Sequence, residues 1–336
     1  MKFMNERRTS MRLRKTTAIL AAAALLALAA APAAAKWGDG DSREKYEEKF
    51  QKTEKLAADG RVFLVNISGD IKVATWDKAE VFIDALKVSR AKTAERAREN
   101  AALVKVEVSR IDGRLEIKTK YPEGRDQKKD HNVSVHYVLT IPSGAEIEVK
   151  NVSGDVRAEN VGGRAKLETV SGDIAASRMA RGGTFVAVSG ELVLSDISGG
   201  LKAKTVSGDI SVSGATGSVG AKTVSGDIKL RGLSDSKSVE VNVLSGDVDF
   251  EGTLNPEGVY SFEAHSGDVT LRLPENAAFS FSFKSFSGDI SSDFKAVVEL
   301  QGKLKDSRRD IRGEVNGGGA DLTCKTFSGE IRLKKR

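Results

Sequence analysis

The stretch TVSGDI fills residues 205–210 and returns unchanged at residues 223–228. Its wider pattern is apolar–Ser–Gly–Asp/Glu–apolar. The serine of that pattern falls at 68, 153, 171, 189, 207, 225, 245, 266, 287 and 328. From Ser153 onward the steps are 18, 18, 18, 18, 20, 21, 21 and 41 residues, the spacing of a repeat architecture. An acidic residue follows the glycine in every copy; it is Asp except at Glu191 and Glu330. The apolar residue before the serine is replaced once, by His265.

The flanks show what the motif does. Six, four and two residues before Ser207 stand Leu201, Ala203 and Thr205, and before Ser266 stand Tyr260, Phe262 and Ala264. Such period-2 alternation marks a strand with one buried face. Three and five residues after the serine, the apolar residues resume on the opposite parity: Ile210 and Val212, Ile228 and Leu230. A straight strand cannot bury both sets, because its side chains alternate strictly between faces. The chain must therefore bend at Ser-Gly, where glycine tolerates positive φ and Ser and Asp can bond the stripped backbone.

Strand, corner, strand and polar loop make one coil. A lone coil cannot bury its apolar face, whereas stacked coils share a continuous core. The expected fold is therefore all-β: one chain wound into a parallel β-solenoid of 18–21-residue coils, right-handed by the crossover rule. Thr169, Thr205, Thr223 and Thr326, with Asn66 and Asn151 in the same register, are expected to form a ladder at or inside the corner. Ala203 and Ala221 sit in 18-residue coils, whereas Phe262 and Phe283 sit in longer ones. Close packing thus predicts a solenoid that widens toward its C-terminal end. The 41-residue step implies a coil that has lost its motif or become a cap.

Outside the repeats the sequence divides into four parts. Residues 1–35 carry a basic start, an apolar run over 18–31 and a small-residue site at 31–35, the pattern of a secretory signal peptide. The run falls short of the ~20 residues that span a bilayer, so no membrane anchor is expected. Residues 36–60 form a charged lead-in, expected to be mobile or a short helix. Residues 61–142 are expected to give an N-terminal antiparallel β cap, with strands over 80–89, 103–109, 114–120 and 133–141 and a helix over 92–100. Residues 143–336 hold the solenoid repeats, with 291–319 as its C-terminal cap.

Removing 1–35 leaves 47 basic and 46 acidic residues, a net charge of +1. The basic pI therefore comes from the export signal, and nucleic acid is not an expected partner. Cys324 is the only cysteine, which leaves no disulfide within the chain; its place in the repeat predicts a small buried residue.

With these residues in view, the chain resembles the DUF4097 family of exported β-strand-repeat proteins that carry an adhesin label by analogy. The resemblance rests on LVNISGDIKVATWDKAEV at 64–81, YVLTIPSGAEIEVKNVSGDV at 137–156 and the run of VSGDI coils. It covers the chain from about Arg61 to the end. It implies a β-solenoid outside the cytoplasm, in periplasm or at the cell surface, and brings no catalytic residues with it.

Reactive chemistry finds little support. Asp155, Asp173, Asp209, Asp227, Asp247, Asp268 and Asp289 should line up in a row, expected to bond the turns rather than calcium. The calcium solenoid repeat GGxGxD is absent, and one Asp per coil supplies few of the six to eight oxygens that calcium takes. A Ser-His-acid site needs one special serine, and here the serine is repeated beside only three histidines, His131, His136 and His265. No catalytic, cofactor-binding or metal-ligating residue is therefore assigned, and no cofactor is expected. The expected role is a non-enzymatic module at the cell envelope, adhesive, structural or ligand-sensing, with a glycan or protein as partner. The outer charges are mixed, and no exposed aromatic stripe is expected. The alternative is a β-helix enzyme acting on polysaccharide, which would require carboxylates converging on one groove.

Overall fold

The computed structural model describes residues 43–122, 132–299 and 310–336. The expected signal segment 1–35, the start of the lead-in, residues 123–131 and residues 300–309 lie outside them.

The repeats form the expected parallel solenoid. Each coil lays the strand before its Ser-Gly corner in a sheet of 14 strands and the strand after it in a sheet of 13. Neighbouring strands are parallel and in register, so Leu167 sits between Val149 and Phe185, and Ile210 between Leu192 and Ile228. Equal register keeps one parity inward throughout: Leu201, Ala203, Thr205, Ile210 and Val212 are all buried.

Packing adjusts large to small along the stack. Phe185, fully buried in an 18-residue coil, is flanked in register by Leu167 and Ala203. Aromatic residues gather near the C-terminal end, with ring centroids 5.2 Å apart for Phe250 and Phe262 and 4.9 Å for Phe281 and Phe283. The lengthening from 18 to 20 residues falls between strands: Arg231 still pairs with Ser213, eighteen residues back, whereas Ser238 pairs with Ser218, twenty back.

The far corner carries a second backbone file that the sequence reading does not anticipate. Asn160, Arg178 and Asp196 all lie in the left-handed region, with φ of 59°, 56° and 54°. Gly214 and Gly232 continue the same 18-residue spacing. Only two of these positions are glycine, so this turn has no uniform sequence signature.

The ends hold the main departures. Lead-in residues Glu44–Lys55 form neither a mobile segment nor a helix but a strand, antiparallel to Glu80–Ala91. Glu and Lys favour helix intrinsically, yet an open sheet edge overrides that weak preference. Tyr46, Glu48 and Phe50 turn their half-buried side chains to one face, and Glu48 holds the buried Lys87 at 2.7 Å. The exposed charges of this edge strand discourage further pairing.

Residues Arg61–Val65 and Ile71–Trp76, expected within the cap region, form a coil of the stack itself, pairing in parallel with Glu146–Ser153 and Val156–Glu159. On the outer side of that coil lies another, built from Arg114–Lys120 and Val133–Pro142. Antiparallel strands then close this end: Glu80–Ala91 on Val133–Pro142, and Lys105–Ile111 on Arg114–Lys120. The helix Ala94–Leu103, capped by the Thr93 hydroxyl accepting from the Arg96 N–H, packs against Glu44–Lys55 and Glu80–Ala91.

At the other end the coil of Ser328 does not follow that of Ser287 in space. Strand Ala320–Ser328 inserts between Val259–Ser266 and Phe279–Ser287, and Ile331–Lys335 between Val269–Leu273 and Ile290–Ser292. The long 41-residue step is the excursion this requires. On the way the chain lays Asp310–Val315 antiparallel on Phe279–Ser287.

Candidate functional site: the Ser-Gly corner and its exposed ridge

The Ser-Gly-Asp corners line up in a single file, and each residue of the motif has a separate task. The glycines take positive φ, from 119° at Gly69 to 157° at Gly288. A Cβ on any of them would approach the backbone of the adjacent coil closer than 3.0 Å, a separation real Cβ atoms do not show. Nine of the ten glycine N–H groups donate to a serine carbonyl of the neighbouring coil, as from Gly208 to Ser225 at 2.9 Å.

The aspartates form a staircase of backbone bonds. Asp155 Oδ1 accepts the Asp173 N–H at 3.0 Å, Asp209 that of Asp227 at 2.8 Å, and Asp247 that of Asp268 at 2.8 Å. Asp173 and Asp268 accept from the backbones of Glu191 and Glu330. Glutamate is tolerated there because its main chain, not its carboxylate, makes the bond. Repulsion along the file is eased by Arg157 on Asp155 at 2.9 Å and Arg332 on Asp268 at 2.7 Å. At the N-terminal end His136 replaces the acid, its Nδ1 accepting from the Asp70 N–H at 3.2 Å. Asp289 holds the corresponding place in the outermost coil, where its carbonyl accepts from the Ile331 N–H. Among the described residues no three His, Cys, Asp or Glu come together to hold a metal ion.

The threonine ladder lies inside the corner, as expected. Thr223 Oγ1 donates to the Gly208 carbonyl at 3.2 Å and Thr326 Oγ1 to that of Gly267 at 3.3 Å. Asn151 Nδ2 reaches both Gly69 and Gly154 carbonyls at 3.0 Å. Cys324 is fully buried in the core, and burial pushes its thiol pKa well up.

With Gly, Asp and Thr engaged by the scaffold, the residue before the serine faces solvent, as does the serine side chain itself. Val152, Val170, Val188, Val206 and Val224 are all exposed, and Ile67 and Leu244 extend the same file. Phe286 and Phe327, at 64% and 48% exposed, end it. Because the Ser328 coil is inserted next to that of Ser266, three rings stack in space: His265 on Phe327 at 4.9 Å and 11°, and Phe327 on Phe286 at 4.6 Å and 5°. This exposed aromatic ladder corrects the expectation that none exists. Chain order hides it, since Phe286 and Phe327 are separated by a cap.

Beside the ladder runs a groove of about 620 Å³. The ridge residues Val224, Leu244, His265, Phe327 and Phe286 form one wall. The other wall is the outward residue two positions earlier in each coil: Lys222, Asn242, Glu263, Lys325 and Lys284. The inward Thr223, Val243, Ala264 and Thr326 lie under its floor. Elsewhere the same outer face is closed by ion pairs, such as Lys166 with Glu148 and Glu168, each at 3.1 Å. Those two carboxylates hold the Lys166 pKa above its ordinary value, Glu168 most. His131 falls outside the described residues, and Asn316–Gly319 form the turn into strand Ala320–Ser328.

A family model described as Toastrack DUF4097 matches residues 70–334. No curated protein matches the sequence. Among solved structures, a proposed adhesin from Bacteroides fragilis is 14% identical, with a TM-score of 0.40, covering 85% of this chain and 97% of its own. A proposed cell adhesion protein from Clostridium sporogenes is 10% identical, with a TM-score of 0.25, covering 86% of this chain and 100% of its own. A proposed lipid binding protein from Parabacteroides distasonis is 11% identical, with a TM-score of 0.33 over 85% of this chain and 97% of its own. Likeness at that level carries no argument for function.

Proposed function

For this chain, which belongs to the Toastrack DUF4097 family, we propose an exported, non-enzymatic role at the cell envelope, as an adhesin-like, ligand-contacting solenoid. The observation that carries the reading is the ridge of exposed apolar side chains along the corner, running from Ile67 to Phe286 with only His265 interrupting it. A folded chain rarely leaves so long an apolar file open to water unless something covers it. Gly, Asp and Thr hold the corner, which leaves the ridge and the serines beside it turned outward. Export follows from the basic, apolar and small-residue order of residues 1–35. The acids of the corner accept backbone N–H bonds and spread along the stack instead of converging, which favours contact over catalysis.

The test is retention of the purified full chain on envelope fractions. Replacing Val170, Val188 and Val206 together by Ser, at exposed positions outside the groove, is expected to weaken retention about tenfold while circular dichroism stays unchanged. Equal retention of the triple variant would refute the ridge as the contact surface. Fractionation of cells should find the chain outside the cytoplasm, and an unprocessed cytoplasmic chain would refute export.

A further inference from the structure

We infer that the groove at the C-terminal end of the ridge is a binding site for one long-chain fatty acid, with its carboxylate at Lys222 and its alkyl chain laid along the aromatic ladder. The inference rests on the reading of the ridge as a contact surface and names the ligand class for one part of it.

The walls define the chemistry. One is apolar over the coils of Ser225, Ser245, Ser266, Ser328 and Ser287, and the opposite one carries three lysines against a single glutamate. Glu263 is engaged by Lys325 at 2.8 Å, and Lys284 lies 3.5 Å from Asp310. Lys222, at the end away from Phe286, has no carboxylate within 4.0 Å among the described residues. An anion is therefore favoured at that end, and the lysine's own methylenes can lie along the groove while its ammonium stays wet.

The middle of the groove excludes other extended ligands. A sugar ring stacks on an open aromatic face, but the facing sides of His265, Phe327 and Phe286 are used against one another. An added peptide strand gains its affinity from free main-chain groups at a sheet edge. Here the strands under the groove are already paired on both sides, as Val259–Ser266 is with Ser238–Ser245 and Ala320–Ser328. An alkyl chain asks for no hydrogen bond along its length. At about 4.8 Å per coil, the wall from Leu244 to Phe286 runs roughly 14 Å. That is close to the roughly 15 Å hydrocarbon depth of one bilayer leaflet, half of the ~30 Å core, and hence to one ordinary acyl chain. A volume of about 620 Å³ falls within the range of small-molecule sites.

The probe is cis-parinaric acid, a fluorescent long-chain fatty acid, titrated into the full chain. Saturable one-site enhancement is expected, displaced by unlabelled palmitate. Lys222→Glu, the double variant Phe286→Ser/Phe327→Ser, and the methyl ester of the probe should each weaken binding about tenfold. Val170→Ser, on the ridge outside the groove, should leave it unchanged. If the double aromatic variant fails to fold, Lys222→Glu and the ester carry the test.

Absence of saturable binding, equal affinity for the ester, or enhancement only in the presence of phosphatidylglycerol vesicles would each overturn the assignment. A chain that ignores the acid but is still retained on envelope fractions through Val170, Val188 and Val206 refutes the ligand and leaves the contact-surface reading standing. Loss of both refutes both.

Discussion

Replacing Gly208 by Ala tests the corner directly. Gly208 has φ 146°, and an added Cβ would come closer than 3.0 Å to the Gly190 carbonyl oxygen, a main-chain atom that cannot swing aside. The backbone conformation alone costs a non-glycine residue about 1–3 kcal/mol. To relieve the clash the two coils must separate, which loosens the Gly190 N–H bond to the Ser207 carbonyl and the Leu192 N–H bond to the Asp209 carbonyl. At about 1 kcal/mol for each such bond, the total comes to about 3–5 kcal/mol. Gly220→Ala is the control. Gly220 lies in strand Ser218–Ser225, its φ is not positive, and an added Cβ meets nothing nearer than 3.9 Å. That change should be neutral or stabilise by about 0.4–1 kcal/mol. Urea unfolding followed by circular dichroism gives the two differences, and hydrogen exchange locates them. Because coils communicate through nearest neighbours, the loss of protection should centre on the coils of Ser189, Ser207 and Ser225. A Gly208→Ala chain within about 1 kcal/mol of wild type would show that the glycine file is not what holds the corner.

Other expectations follow from the same file. Thr223→Val keeps the shape but removes the buried hydroxyl that donates to Gly208, and should cost about 1–2 kcal/mol in the same unfolding assay. Asp209→Ala should destabilise more than Asp209→Asn, whose side-chain oxygen can still accept the Asp227 N–H. With the acids so engaged, calcium and chelator should leave the melting temperature unchanged, and a calcium-dependent rise would reassign the Asp file. Cys324, buried with its thiol pKa pushed up, should resist a thiol reagent such as Ellman's until the chain unfolds. In the edge strand Glu44–Lys55, a hydrogen bond from Lys45 lowers the pKa of Glu47 and one from Lys52 that of Glu54, each below the usual 4.5. Their stabilising contribution is thus present above pH 4.5 and fades as pH falls through the lower folded values. Hydrogen exchange of this strand should quicken there ahead of the repeats, and uniform exchange across the chain would contradict that.

The repeat interior was legible because each feature that builds it is written in every coil. Apolar parity changes across Ser-Gly, and only a corner places Ile210 and Thr205 on the same side. Residues outside that periodicity were opaque for identifiable reasons. Glu44–Lys55 has helical composition and becomes a strand only because Glu80–Ala91 offers it an edge. The far turn uses Asn, Arg, Asp and Gly in the same conformation, so no single residue type marks it. The aromatic ladder depends on which coils are neighbours, and a sequence lists His265, Phe286 and Phe327 in an order the stack does not keep. The ridge itself was visible as an apolar residue before each serine. Its exposure was not, because hydrophobicity in a motif suggests the interior until parity is followed one residue further.

The placing of the two terminal repeats bears on how the molecule is assembled. The coil of residues 320–335 is gripped on both faces, between layers made by earlier segments, whereas at the opposite end the strand Glu44–Lys55 lies outermost in its sheet. Fraying of the 320–335 coil is thereby opposed from both sides. It also means that the layers of Ser266 and Ser287 become joined only when residues 320–335 slot between them. A chain emerging from its N-terminus would hold these two layers unjoined until residues 320–335 arrive, so the core at this end closes late.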